Sequence, residues 1–237
     1  LARQTGKYLI EHVVEQASKA RFASMVIVAT DDSRIQDAVR SFSKGGGTAV
    51  MTSSSHQSGT DRIAEVMRKP EFSSVEVVVN VQGDEPEIEP ALIDELIEVT
   101  RRPGVAMATV SAPFGPPPRH HARDVENPNI VKVVTDRDHF ALYFSRSMIP
   151  YDRDKTGEGS LIYRKHLGIY AYKRQSLLAL AAAPVCELER LEKLEQLRAL
   201  YLGMKIFVVQ TTQAPHGIDT PEDYAAFVKR YTQNLIT

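Results

Sequence analysis

The chain has 237 residues, of which 43% are hydrophobic and 25% charged, the make-up of an ordinary globular protein with a sizeable core. A formal net charge of −1 gives no electrostatic footprint for nucleic acid, and no apolar run approaches the ~20 residues that span a bilayer. The single cysteine, Cys186, excludes an intramolecular disulfide and a multi-cysteine zinc site, so a reducing, cytoplasmic setting is expected and Cys186 reads as a packing residue.

The first predicted element is an amphipathic helix with the apolar stripe Leu9, Ile10, Val13, Val14 and Ala17. A strand over 25–30 ends in Asp31-Asp32. A helix over 33–44 follows, closed by Gly45-Gly46-Gly47. A short strand over 48–51 and a polar loop over 53–59 lead into a helix over 60–68. The valine-rich run 75–81 reads as a strand buried on both faces, followed by a helix over 90–101 and a strand over 105–112. This alternation predicts a parallel, doubly wound sheet.

The pattern breaks at Pro113-Phe114-Gly115-Pro116-Pro117-Pro118, which can continue neither a helix nor a central strand and reads as a surface crossing. Strand-like segments over 130–135, 141–145 and 166–172 look antiparallel. They suggest a sheet extension or a smaller subdomain from about 113–175 within a single 1–237 domain. A helix over 187–203 precedes a strand over 205–210. The last helix is expected from Thr220, where Thr-Pro-Glu-Asp combines an N-cap, a first-turn proline and first-turn acids.

Two carboxylates stand out. Asp84 follows the 75–81 strand on the turn Gln82-Gly83-Asp84, where ligands of open α/β sheets bind. Asp219 precedes the N-cap of the last helix. Gly-Asp is also common turn chemistry, and Asp219 alone reads as capping support. Together, at the ends of sheet elements, they fit magnesium, which takes one or two protein carboxylates and completes its shell from phosphates and water.

The loop Ser55-His56-Gln57-Ser58-Gly59-Thr60-Asp61-Arg62 enters a helix N-terminus, a geometry suited to an anion, although a capped surface loop has the same composition. No Walker-type or Gly-x-Gly-x-x-Gly motif is present. In the 187–203 helix, Leu188, Leu191, Leu194 and Leu202 share a face that Glu195 and Arg198 border. Either these two pair at i,i+3, or Glu195 and Gln196 look into a polar site. Arg146, Arg153 and Arg164 lie near strand ends and suit an anionic sugar. His166 by itself reads more readily as a satisfied, half-buried strand histidine, and His120-His121 as solvated.

The segments Val81-Gln82-Gly83-Asp84-Glu85-Pro86, His56-Gln57-Ser58-Gly59-Thr60-Asp61-Arg62, Ala141-Leu142-Tyr143-Phe144-Ser145-Arg146, His166-Leu167-Gly168-Ile169-Tyr170, Leu194-Glu195-Gln196-Leu197-Arg198 and Gly217-Ile218-Asp219-Thr220-Pro221-Glu222-Asp223 occur in one order along nearly the whole chain. Together they resemble the 3-deoxy-manno-octulosonate (Kdo) cytidylyltransferases. The resemblance implies a nucleotide-diphospho-sugar-transferase-like three-layer α/β/α sandwich with a smaller dimerisation subdomain, a homodimer, and formation of CMP-Kdo and pyrophosphate from CTP and Kdo for lipopolysaccharide assembly. It implies Mg²⁺ on Asp84 and Asp219. His56, Ser58, Arg62 and Gln82 would face the nucleotide. Gln82, Arg146, Arg153, His166, Tyr170, Glu195 and Gln196 would face the sugar. In that family a strand and a basic loop serving the CTP triphosphate precede the first helix. Leu1 matches the loop's last leucine, so strand and loop are expected to be absent from the chain as it stands.

The implied chemistry is in-line attack of the sugar's anomeric hydroxyl on the α-phosphorus, and no side chain stands out as general base. Three alternatives stay open: another 2-keto acid sugar such as amino-Kdo or a sialic acid, a non-catalytic binding homologue, and a glycosyltransferase using Asp136-Arg137-Asp138 or Asp152-Arg153-Asp154 as a metal motif.

Overall fold

The computed structural model describes residues 2–42, 47–114, 122–154, 163–212 and 217–234. In chain order the elements are α1 (Leu9–Ala17), β1 (Val26–Thr30), α2 (Ser33–Phe42), β2 (Gly47–Met51), α3 (Gly59–Arg68), β3 (Val77–Asn80), α4 (Pro90–Arg101), β4 (Met107–Pro113), α5 (Ala122–Glu126), β5 (Lys132–Thr135), β6 (Ala141–Ser145), β7 (Arg164–Lys173), α6 (Arg174–Ala182), α7 (Glu187–Glu192), α8 (Gln196–Tyr201), β8 (Ile206–Gln210) and α9 (Pro221–Asn234). Gly45-Gly46, Gly115 to Pro118, His120-His121 and the segment 213–216 before Gly217 lie outside the described residues.

The chain divides into two compact units. Unit 1 comprises Leu1–Ser74, Asn80–Glu95 and Pro215–Thr237; unit 2 comprises Val75–Val79 and Leu96–Ala214. The 113–175 stretch falls wholly within unit 2.

In unit 1, β1 and β2 run parallel, from Val26↔Gly47 to Thr30↔Met51. Their β-branched residues suit a pleated, half-buried surface. The apolar stripe of α1 buries Val13, Val14 and Ala17. His12 on the same helix is 4% exposed, its ring edge-on to Phe227 and Tyr231 of α9. Thr220 and Asp223 cap α9 reciprocally: the Asp223 amide donates to Thr220 Oγ1 (3.1 Å) and the Thr220 amide to Asp223 Oδ2 (3.0 Å). Such a box satisfies two otherwise orphaned donors and contributes about 1 kcal/mol.

Unit 2 is built on one mixed sheet of order β6-β5-β7-β4-β8, with β3 pairing β7. β4 and β8 are parallel, as the strand–helix alternation predicts, and the three later segments are antiparallel as expected: β5 pairs antiparallel with β6 and β7, and β7 lies antiparallel beside β4. They extend the sheet, and β7 stands between β5 and β4, a strand order that local patterning does not predict. β4 is the most buried strand, from Met107 to Ala112. β3 is shorter than the 75–81 run and only half-buried, because β7 is its sole partner among the described residues.

The continuous 187–203 helix is also corrected. Lys193 adopts φ 54°, ψ 44°, which ends α7, and α8 starts afresh at Gln196. The break rotates the leucine stripe apart: Leu194 and Leu197 are buried, whereas Leu188, Leu191 and Leu202 are exposed. Cys186 is buried and unpaired in a disulfide, as a packing residue would be.

Candidate active site

Unit 1 brings Asp84 and Asp219 together through the backbone. The amide of Ile218 donates to the carbonyl of Asp84 at 2.9 Å, so Asp219 follows directly on a residue fastened to the Asp84 turn. α9 is held to the same turn: Arg230 Nε donates to Glu87 Oε1 at 3.0 Å and its Nη2 to Oε2, a bidentate pair. On the other side, a Cβ at Gly83 would lie 3.8 Å from Ile10 Cδ1, so the turn packs on α1.

Neither the Asp84 nor the Asp219 carboxylate makes a hydrogen bond or ion pair among the described residues. Asp84 is half-buried and Asp219 exposed. Next to them, Glu85 is pushed up to about 7 by burial, with the charge of Asp84 adding, and its Oε2 has no hydrogen-bond partner among the described residues. Two unpaired carboxylates on adjoining backbone, with a third poorly solvated beside them, form a local excess of negative charge. That donor set suits a hard divalent cation whose remaining ligands come from phosphates and water. No group of three or more metal-ligating side chains occurs among the described residues.

His56, Ser58 and Arg62 of the 55–62 loop are each engaged. Ser58 caps α3, its Oγ accepting from the Asp61 amide at 3.1 Å. His56 Nε2 binds Glu65 Oε2, and Glu65 also accepts from the Ser53 amide at 3.0 Å. The Ser53 amide, then the His56 ring, hold the Glu65 carboxyl below the usual range. Arg62 Nη1 donates to Thr52 Oγ1 at 2.7 Å and pairs with Asp31 at 3.2 Å. Asp31 and Thr52 sit just past the carboxyl ends of the parallel strands β1 and β2, so Arg62 is aimed by both strand ends. A Cβ on Gly59 would lie 3.7 Å from Asn80 Nδ2, which sets the start of α3 beside the end of β3 and hence near the exposed Gln82. His56, Ser58, Arg62 and Gln82 thus belong to one unit with the two aspartates. Asp31 and Thr52 have no sequence signal as site residues beyond their position after a strand, and Glu65, in the middle of α3, has none.

In unit 2, His166 and Tyr170 are four residues apart on β7, about 13 Å along a regular strand. Their rings lie 5.4 Å apart, because β7 is bulged between them. Phe144 packs edge-on to His166 at 5.0 Å. Burial lowers His166 to about 3. Burial first, then Tyr172 and Glu195, raises Tyr170 well above its ordinary value, which places Glu195 near the phenol. Gln196, beside it, is 5% exposed. Glu195 also pairs with Arg198 at 3.1 Å, the i,i+3 arrangement that the sequence left as one of two readings.

Arg146 is fixed from several sides. Its amide donates to Glu192 Oε2 (2.9 Å), its Nε to the Glu192 carbonyl (2.7 Å) and its Nη1 to the Pro128 carbonyl (2.9 Å). Lys132, 0% exposed, donates Nζ to the carbonyls of Asn127, Ile130 and Arg146. Arg153 is exposed and apart from these contacts. Asp136 of the first Asp-x-Asp accepts from the Asp138 and Phe140 amides at 2.9 and 2.8 Å, so it shapes the β5–β6 turn.

Residues 1–206 match the family model described as cytidylyltransferase. A 3-deoxy-manno-octulosonate cytidylyltransferase of Geobacter sulfurreducens is 47% identical, over 94% of this chain and 88% of that protein. A solved structure of CMP:2-keto-3-deoxy-manno-octonic acid synthetase complexed with CTP superposes with a TM-score of 0.84 at 38% identity, covering 95% of this chain and 88% of that one. The 4-diphosphocytidyl-2C-methyl-D-erythritol synthase of Anaerococcus prevotii shares the fold alone, with a TM-score of 0.58 at 15% identity over 96% and 87% of the two chains. The chain belongs to the cytidylyltransferase family and, within it, to the 3-deoxy-manno-octulosonate cytidylyltransferases.

Proposed function

We propose that this chain transfers the cytidylyl group of CTP to Kdo, giving CMP-Kdo and pyrophosphate. The observation that carries the reading is the Asp84–Asp219 pair: two aspartates on backbone joined by the Ile218 amide, neither carboxylate partnered among the described residues, in a chain 47% identical to a Kdo cytidylyltransferase. Asp84 and Asp219 would hold Mg²⁺, which when bound neutralises charge on the triphosphate.

The protein's own residues position the reactants. Arg62, aimed by Asp31 and Thr52, binds the nucleotide side with His56, Ser58 and Gln82. On the sugar side, Arg146 and Arg153 attract the carboxylate, and His166, Tyr170, Glu195 and Gln196 orient the hydroxyls. The anomeric oxygen of Kdo forms a bond to the α-phosphorus as the bond to the β-phosphate oxygen breaks. Pyrophosphate leaves with that electron pair, and the hydroxyl proton passes to solvent. Alignment and charge neutralisation supply the rate without a covalent intermediate.

The enzyme on this reading is a cytoplasmic homodimer. No helix among the described residues is long and apolar enough to cross a membrane. Unit 2 exposes Leu142 on the end strand β6, as well as Tyr151 and Leu191, apolar surface suited to a second copy. Pyrophosphate release with CTP and a panel of acid sugars tests the reaction. Turnover with Kdo well above that with amino-Kdo or a sialic acid is expected. Preference for another sugar overturns the assignment.

A further inference from the structure

Across from a bulge in β7, β4 carries a buried hydroxyl that the reaction as described does not use. Between β4 and β7 the register steps from Thr109↔Tyr170 to Val110↔Leu167, leaving Gly168 and Ile169 unpaired across β4. Thr109, 0% exposed, lies opposite this bulge. Its Oγ1 lies 2.8 Å from the Ile169 carbonyl, 3.2 Å from the Leu167 carbonyl and 2.9 Å from His166 Nε2.

A threonine hydroxyl has one proton. If Thr109 gave it to His166 Nε2, two carbonyl oxygens would face the bare lone pairs of Oγ1. Both contacts would then be repulsive inside a buried sheet, where unsatisfied polar groups are costly. With the proton directed at the carbonyls, Oγ1 is an acceptor toward the ring, so Nε2 carries the hydrogen. A neutral imidazole has a single N–H, and burial keeps this ring neutral. Nδ1 is then a bare acceptor, and no hydrogen bond to it occurs among the described residues.

We propose that Thr109 is a positioning residue that fixes His166 as the Nε2–H tautomer, so that Nδ1 accepts a hydrogen bond from a hydroxyl of the acid sugar. The proposal rests on the functional reading only for the identity of that sugar. It makes His166 a reader of hydroxyl donors and leaves the carboxylate to the arginines. Chemically, a bare ring nitrogen repels a carboxylate and welcomes an O–H.

Thr109→Val keeps the shape and removes the hydroxyl; Thr109→Ser keeps the hydroxyl. The first readout is the long-range ¹H–¹⁵N correlation of the His166 ring in ¹⁵N-histidine-labelled protein at pH 7, identified by its loss in His166→Gln. The wild type should show the Nε2–H pattern, Thr109→Ser should keep it, and Thr109→Val should lose it. A wild-type Nδ1–H pattern overturns the proposal even if no variant folds, as does an Nε2–H pattern unchanged in Thr109→Val.

The second readout is kinetic. Thr109→Val should raise the KM for Kdo about tenfold, the size of one lost hydrogen bond, with the KM for CTP unchanged and Thr109→Ser restoring wild-type values. A tautomer shift without a change in the Kdo KM overturns the acceptor role. If the tautomer behaves as expected but wild-type protein makes no CMP-Kdo, the substrate assignment fails and the Thr109–His166 relation stands.

Discussion

Ile218 donates its backbone amide to the carbonyl of Asp84 at 2.9 Å, and this one bond joins the backbone before Asp219 to the Asp84 turn. Neither carboxylate is paired among the described residues, which leaves both available to a bound cation. Asp84→Ala and Asp219→Ala should each lower CMP-Kdo formation by about 10²-fold or more, on the scale of losing one electrostatic stabiliser of the reacting phosphate. Both variants should fold normally, since no structural contact is lost. Pyrophosphate release together with thermal unfolding checks both halves; a variant that keeps most of its kcat removes that aspartate from the site.

Arg62 is aimed by Thr52 and Asp31, the residues just after β2 and β1. Arg62→Ala should raise the KM for CTP about tenfold with a smaller change in kcat, because it removes binding on the nucleotide side. Arg62→Lys should not rescue it, since Nη1 alone holds both strand ends and an ammonium in its place has no second nitrogen to offer the nucleotide. Initial rates over a CTP series at saturating Kdo measure this. An equal effect on the Kdo KM would show that Arg62 serves the other substrate.

Arg198 is 7% exposed and ties three helices together. Its Nε and Nη2 each donate to Glu189 at 2.8 Å, and its Nη1 donates to the carbonyls of Leu180 and Ala183. Arg198→Ala leaves the Glu189 carboxylate buried without its main partner and should cost about 3–5 kcal/mol in urea unfolding. Glu189→Ala combined with Arg198→Met should recover part of that loss, because the only carboxylate then left without the arginine is Glu195, which is more exposed than Glu189.

The helices and most strands were legible from apolar period and caps, as with the α9 start at Thr220 and the α1 stripe. The strand order of unit 2 was not, because local patterning says nothing about which strand inserts beside β4. The break at Lys193 was missed for a physical reason: leucines spaced at the helical period across 188–202 keep the pattern through a left-handed residue that costs only about 1–2 kcal/mol. At the candidate site, motif residues such as Asp84 and His56 were visible. Their supports Glu65, Asp31, Glu192 and Thr109 were not, since each acts through a contact far away in sequence or across a sheet register.

His166 gives the pH dependence a definite sign. Its folded value of about 3 lies below the ordinary imidazole value near 6.5, because burial penalises the charged ring. Between those pH values the unfolded chain binds a proton that the folded chain refuses, so stability rises with pH across this window. The contribution is complete above about 6.5 and is lost progressively as the pH falls toward 3. His166→Gln, which cannot titrate, should therefore show a shallower fall in unfolding temperature between pH 7 and pH 4 than the wild type. Scanning calorimetry of both proteins in matched buffers measures the difference. Parallel curves would mean that His166 takes up its proton in the folded protein near its ordinary value, and that the ring is not held neutral beneath Tyr170 and Phe144.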